Sequence, residues 1–299
     1  MNNKKSLVID GNYMMFQSFY ATYRGDISSI LKTSKGIPTN AVSVFLSQLV
    51  KLIKFINPDN LMIAFDANSK TKRHEIFPEY KSGRTKAPVE IFEQFDIIKK
   101  LLSLLNIKWI EKAGDEADDI IGTYCKKMIG KKFIFSSDKD LLQLVDEDTS
   151  YIVKKGIEIS LIDNDNFHSI YEINPSQITT YKGLKGDSSD NLPGVKGIGD
   201  KTAIKLINTY GYFENIYKNL DEGTLKETKG TLEKLIKGRS EGFLSYELSK
   251  INTNVLELPL ENDFYQINLN YDDAKSYIKE LELQKFEKDL INLLKKYSK

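Results

Sequence analysis

The chain has 299 residues, 40% of them apolar, enough for one large domain or two intimate ones around a sizeable core. Its net charge of +1 announces no global basic field, although acids and bases segregated along the chain leave room for a polyanionic partner. No apolar run approaches a membrane span, the stretch before Asp10 is too short for a signal peptide, and the single cysteine, Cys125, cannot form an internal disulfide, which fits a reducing, cytoplasmic setting.

Short strand-like runs alternate with longer helical ones. SLVI (6–9) reads as a strand, followed by a helix near 12–21; TNAVSVFLSQLVKLIKF (39–55) is strongly helical, with Thr39 as its N-cap. LMIAF (61–65) is a buried strand, VEIFEQFDIIKKLLSLL (89–105) a helix, KWI (108–110) a short strand, EADDIIGTYCKKM (116–128) a helix and KFIFSS (132–137) another buried strand. This rhythm predicts an α/β fold with a mostly parallel central sheet covered by helices on both faces. Strands stop by about residue 175, so the expected organisation is an α/β core over 1–174 and a helical subdomain over 175–299. Segment 67–88 is polar, basic and broken by Pro78 and Pro88, and reads as a mobile or partly helical insertion.

Three strands run into aspartates: SLVI to Asp10, LMIAF to Asp66, and KFIFSS to Asp138 with Asp140 close behind. Sites in open parallel sheets form outside the carboxyl ends of the strands, so these acids should converge. GDEADD (114–119) opens a helix at the same edge; Glu116 and Asp119 are spaced to share a helix face, whereas Asp118 points away in an ideal helix. Any one such aspartate is equally well an N-cap. Together they would raise one another's pKa values unless cations bind, and oxygen-only clusters suit Mg²⁺ or Mn²⁺ rather than Zn²⁺. The two histidines, His74 and His168, have no zinc-type spacing.

Segment 70–86 holds two of the four arginines, Arg73 and Arg84, with Lys70, Lys72, Lys81 and Lys86, and with Phe77 and Tyr80 interleaved. Basic side chains among aromatics suit a phosphate backbone with exposed bases, and a position just after Asp66 makes the segment a flap over the acids. In PGVKGIGDKTAIKLI (193–207), Gly194, Gly197 and Gly199 permit a tight turn that presents backbone N–H groups to phosphate. The positive end of the next helix and Lys196, Lys201 and Lys205 reinforce it. Such a hairpin grips backbone and reads no bases.

The stretches VIDGN (8–12), GIPTNAV (36–42), AFD (64–66), KRHEIFPEYKSGR (72–84), GDEADDIIGT (114–123), SSDKDLLQL (136–144) and GDSSDNLPGVKGIGDKTA (186–203) resemble, in order and spacing, the 5′-nuclease family. This family comprises the 5′→3′ exonuclease domain of bacterial DNA polymerase I and the related flap endonucleases. The resemblance covers nearly the whole chain. It implies a structure-specific nuclease with two divalent-metal sites, one from Asp10, Asp66, Glu116, Asp118 and Asp119, the other from Asp138, Asp140, Asp187 and Asp190. It also implies two Mg²⁺ ions, replaceable by Mn²⁺, with K⁺ at a helix-hairpin-helix-like motif. Lys81 and Arg84 would sit on a helical arch and contact the scissile phosphate. Tyr20 would stack on a base, while Arg73, Tyr80 and the hairpin contact DNA. Expected partners are branched or nicked DNA, 5′ flaps, RNA–DNA primer junctions and a separate DNA polymerase, with the chain acting as a free-standing monomer and no membrane involved. Three positions depart from the family: Gln17 for a usual arginine, Val44 for glycine and Lys196 for proline. A non-catalytic DNA-structure binder would predict broken acid clusters. A PIN-type ribonuclease or metal-dependent phosphatase would not be expected to carry the hairpin.

Overall fold

The computed structural model describes residues 4–83, 87–156, 158–261 and 263–297. The first half is β1 (Lys5–Asp10), α1 (Gly11–Tyr20), α2 (Asn40–Ile56), β2 (Asn60–Asp66), α3 (Lys72–Ile76), α4 (Val89–Leu104), β3 (Lys108–Lys112), α5 (Ala117–Lys127), β4 (Lys131–Phe135), β5 (Thr149–Lys155) and β6 (Glu158–Ile162). The six-stranded sheet has the order β3-β2-β1-β4-β5-β6, parallel except for β6, which pairs antiparallel with β5. The central strands are apolar throughout, as strands buried on both faces must be. Leu7, Ile9, Ile63 and Phe65 face α1, α2 and α4; Val8, Met62, Ala64 and Ile134 face α5 and the helices after it.

The β5–β6 pair escaped the sequence reading. TSYIVKK has strand alternation, but its lysines give it no apolar run. Thr39 does occupy the N-cap of α2, yet its side chain makes no capping bond. Gln94, reaching from α4, accepts from the N–H groups of Ala41 (2.8 Å) and Val42 (3.2 Å) instead.

The second half is helical: α6 (Asn164–Tyr171), α7 (Ile178–Lys185), α8 (Asp200–Tyr210), α9 (Phe213–Asp221), α10 (Lys229–Lys237), α11 (Arg239–Leu248), α12 (Tyr271–Glu280) and α13 (Gln284–Tyr297). Helices α7 to α11 pack around Phe213 and Tyr246, whose rings stack 4.7 Å apart. The chain does not stay in this lobe to its end. Leu61 N donates to Tyr265 O and Ile267 N to Asp59 O, both at 2.9 Å. From there Ala274, Ile278, Phe286, Leu290 and Leu293 join the core under α2 and α4. The expectation of one helical unit over 175–299 is corrected accordingly: α12 and α13 belong to the first half by packing. An amphipathic helix shows that one face is buried but not against what.

Candidate active site

The carboxyl ends of β1, β2 and β4 open onto one cleft of about 800 Å³, lined by Asp10, Asp66, Asp118, Asp138 and Asp187 together with Asn12, Tyr13, Phe16, Lys81, Lys182 and Lys185. The three floor acids at the strand ends are held by backbone or hydroxyl donors. Asp10 caps α1 by accepting from Tyr13 N (2.8 Å), and its other oxygen accepts from Ser136 Oγ (2.7 Å). Asp66 accepts from Ala117 N at the start of α5 (2.8 Å), and Asp138 from Asp140 N (2.8 Å). The N-cap and functional readings of these aspartates are therefore not exclusive: capping fixes where each carboxyl points.

The first turn of α5 splits its acids. Asp118, which an ideal helix would point away and the family resemblance assigns to the metal site, lines the cleft. Glu116 and Asp119 share the opposite face, where Glu116 N donates to Asp119 Oδ2 (3.1 Å). Both meet protein cations. Arg73 bonds both oxygens of Asp119 (2.8 and 2.9 Å) and lies 3.2 Å from Glu116, which also takes Lys81 Nζ at 2.8 Å. Asp140 and Asp187 are likewise joined by a buried lysine, Lys182, 2.5 Å from Asp140 and in direct ion pair with Asp187. Asp190 is buried behind Asp187, where its carboxylate accepts from Tyr80 OH (3.3 Å) and its carbonyl from Lys81 N (3.1 Å).

Electrostatics separate these groups. Burial, followed by repulsion from Asp66 and Asp138, raises Asp10 to about 7. Burial and the charges of Asp138 and Asp10 push Asp118 well above the ordinary carboxyl range. Burial and Asp138 raise Asp140 to about 7 in spite of Lys182. Against their own burial, Lys81 and Arg73 hold Glu116 down, and Lys182 and Ser189 hold Asp187 down to about 2. Among the described residues no group of three or more His, Cys, Asp or Glu side chains is arranged to hold a metal ion, and the wall acids are turned onto protein cations. The donor set still fits a hard divalent cation: it is all oxygen, and its floor carboxyls carry repulsion that a cation would relieve.

Two residues expected on DNA lie elsewhere. Arg73 is committed to Asp119 and to the carbonyls of Leu248 (3.0 Å) and Lys250 (2.9 Å), tying α3 and α5 to the end of α11. Tyr80 is buried with Leu192 and Leu248. The base of segment 67–88 is thus packed rather than loose, because its aromatics found apolar neighbours across the cleft. Lys81 keeps its place at the cleft in a left-handed backbone conformation (φ 59°), uncommon for a side-chain-bearing residue. Arg84 lies outside the described residues. Tyr20 is half exposed at the end of α1.

The hairpin between α7 and α8 is only partly as expected. Gly194 (φ +59°) has room for no side chain, because a Cβ would strike the backbone of Gly186. Its N–H is not on offer, since it donates to Ser245 Oγ at 2.8 Å. Lys196, Gly197, Gly199 and Lys201 are exposed. Reading the sequence missed Lys182 and Ser136. Lys182, one helix turn before Gly186, is an ordinary lysine until the fold sets it beside Asp140.

Residues 5–172 match the 5′-3′ exonuclease N-terminal resolvase-like domain, and residues 173–275 the 5′-3′ exonuclease C-terminal SAM fold. The chain belongs to the 5′-3′ exonuclease family. Among relatives of this family, the 5′-3′ exonuclease of Aquifex aeolicus is 36% identical over 299 residues, covering 99% of this chain and 98% of its own. The DNA polymerase I of Bacillus subtilis is 39% identical over 269 residues, which is 88% of this chain but 30% of the polymerase. The chain thus spans about a third of the length of such polymerase relatives. Among solved structures, a complex of the bacteriophage T5 D15 flap endonuclease with DNA and metal ions superposes with a TM-score of 0.67 at 19% identity, covering 98% of this chain and all of that one. The catalytic core of Rad2 with DNA substrate superposes at 0.65 and 16% identity, covering 97% and 93%. At these identities the likeness establishes the fold.

Proposed function

We propose that this member of the 5′-3′ exonuclease family is a divalent-metal-dependent, structure-specific nuclease that cleaves 5′ flaps and primer ends of branched or nicked DNA. The observation that carries this reading is the cleft floor: carboxyls from three strand ends and the first turn of α5, two of them pushed up by burial and by one another, facing open solvent beside Lys81. Asp10, Asp66, Asp118 and Asp138 would hold two Mg²⁺ or Mn²⁺ ions, with Glu116, Asp119, Asp140, Asp187 and Asp190 behind them. Such ions lower the pKa of a bound water and stabilise the attacking and leaving oxygens of phosphodiester hydrolysis. Lys81, anchored on Glu116 and Asp190, presents its ammonium to the scissile phosphate, a role shared with Arg84. Tyr20 offers an exposed ring for stacking. Lys196, Gly197, Gly199 and Lys201 grip duplex phosphate, with K⁺ as an aid at that hairpin. The T5 D15 flap endonuclease, in complex with DNA and metal ions, supports the same pairing of ligands here. We place the protein in the cytoplasm as a monomer.

The test is cleavage of a labelled 5′-flap duplex and of single-stranded RNA, each with Mg²⁺ and with EDTA. Mg²⁺-dependent cutting at the flap junction is expected. Preferred cutting of the RNA would favour a ribonuclease, and binding without cutting in Mg²⁺ would leave a non-catalytic DNA binder.

A further inference from the structure

The sheet's two faces flank the cleft with different chemistry. The hairpin and its lysines lie on the face covered by α5, α7 and α8. On the opposite face a line of polar side chains leaves the cleft wall. Tyr13, which lines the cleft, accepts at its hydroxyl from Gln17 Nε2. Gln17 Oε1 accepts from Gln48 Nε2 (2.6 Å), and Gln48 Oε1 from Lys154 Nζ (2.8 Å). The line crosses α1, α2 and β5.

Strand alternation explains how Lys154 arrives there. Tyr151 and Val153 pack towards the hairpin face, Ile152 towards the other, and Lys154 follows Ile152. On α2, Lys51 stands three residues after Gln48, on the same helix face. Its charge adds to partial burial in depressing the Lys154 amine below the usual lysine value. Neither lysine ion-pairs with an acid among the described residues, whereas Lys54 meets Asp289 and Lys182 and Lys185 meet aspartates. In a chain with 43 basic and 42 acidic residues, two mutually repelling ammonium groups, one of them joined by amides to the cleft wall, mark a place for an anion.

We propose that Lys154, aligned by Gln48 and Gln17, forms with Lys51 a phosphate ledge that holds the sugar–phosphate backbone of the DNA arm lying across the sheet face opposite the hairpin. The proposal rests on the nuclease reading above and adds a second arm to its substrate. The ledge offers ammonium groups, so it holds backbone without reading sequence.

The experiment compares two substrates. One is a 5′ flap with duplex on both sides of the junction, the other a 5′ overhang with a single duplex. Both are bound to the wild type and to the double variant Lys51→Gln with Lys154→Gln, at several salt concentrations. For the two-duplex substrate, Kd should rise about tenfold, the scale of losing charged hydrogen bonds. The salt slope should flatten by about two, near 0.9 per lost phosphate contact. Binding of the single-duplex substrate should not change. The exposed variant Lys51→Gln alone should give about half of the slope change, and the double arginine variant should restore it. Equal weakening of both substrates, or of neither, overturns the ledge. A wild type that cuts no flap in Mg²⁺ overturns the nuclease reading instead, a distinguishable result.

Discussion

The floor and the walls of the cleft are built from the same residue type and behave oppositely. On the floor, Asp10 meets hydroxyl and backbone donors, it and Asp118 face each other's charge and that of Asp138, and both are pushed upward. In the walls, Glu116 and Asp187 meet Lys81, Arg73 and Lys182 and are held down. Position along the sheet edge does not distinguish them; the presence of a protein cation does. A carboxylate satisfied by arginine or lysine is a structural latch, whereas one that faces its own kind is left to be completed by something from solution. Asp140 stands between the two, paired with Lys182 but crowded by Asp138, and it follows the floor.

The sharpest way to break this division is to remove one acid from the floor. Asp118→Ala should slow single-turnover cleavage in Mg²⁺ by about 10³-fold or more while leaving flap-DNA binding within a few-fold, since on the proposed function it removes a metal ligand. Near-wild-type turnover of the folded variant would deny the floor its role. The matching change in a wall is Lys182→Met. It strands Asp140 and Asp187 and should cost about 3–5 kcal/mol of stability in EDTA, the scale for breaking a buried pair. Mg²⁺ should return part of that, because the freed carboxyls become ligands. A melting temperature that falls equally with and without Mg²⁺ would show the wall to be sealed from the floor.

How far this was legible follows from the same contrast. Strands ending in aspartate are a local pattern, so Asp10, Asp66 and Asp138 could be read directly. Which acids would be latched could not, because the latches come from distant chain. Arg73 reaches Asp119 and the carbonyls after α11, and Lys182 reaches Asp140 from α7. Ideal helix geometry pairs Glu116 with Asp119 and points Asp118 away, so only the resemblance to the 5′-nuclease family placed Asp118 with the metal acids. That sharing held, but Arg73 drew the pair away from the cleft and left Asp118 to it. The return of α12 and α13 was invisible because periodicity names a buried face and not its cover.

The pH dependence separates floor and walls without mutation. Asp10 and Asp140 have folded-state pKa values raised to about 7, so they favour the folded state while protonated and lose that contribution as pH rises from about 4 through 7. Asp187, lowered to about 2, and Glu116 have the opposite sign, and their contribution is lost as pH falls below about 4. In EDTA the melting temperature should therefore decline between pH 5 and pH 8, and Mg²⁺ should raise it more at pH 8 than at pH 5. An EDTA melting curve that rises with pH over that window would contradict the floor assignment. The smallest expected effect lies farthest from both groups. Lys196→Ala with Lys201→Ala should flatten the salt dependence of duplex binding by about two units, roughly 0.9 per phosphate. It should do so equally for two unrelated sequences, with saturating single-turnover cleavage unchanged, and a loss confined to one sequence would refute the hairpin as a backbone grip.

The return of the chain at Tyr265 and Ile267 has a mechanical consequence. The helical lobe leaves the sheet after β6 and comes back beside β2, where Asn60 and Gln266 form a bridge. It is therefore hung from two separate points rather than one, and Arg73 adds a strut between them through Leu248 and Lys250. The lobe carrying α7, α8 and their hairpin shares its core with the sheet and is fastened at both ends of its chain, so its hairpin is held at a fixed distance from the cleft, and the tie from Arg73 clamps α11 to α3 and α5.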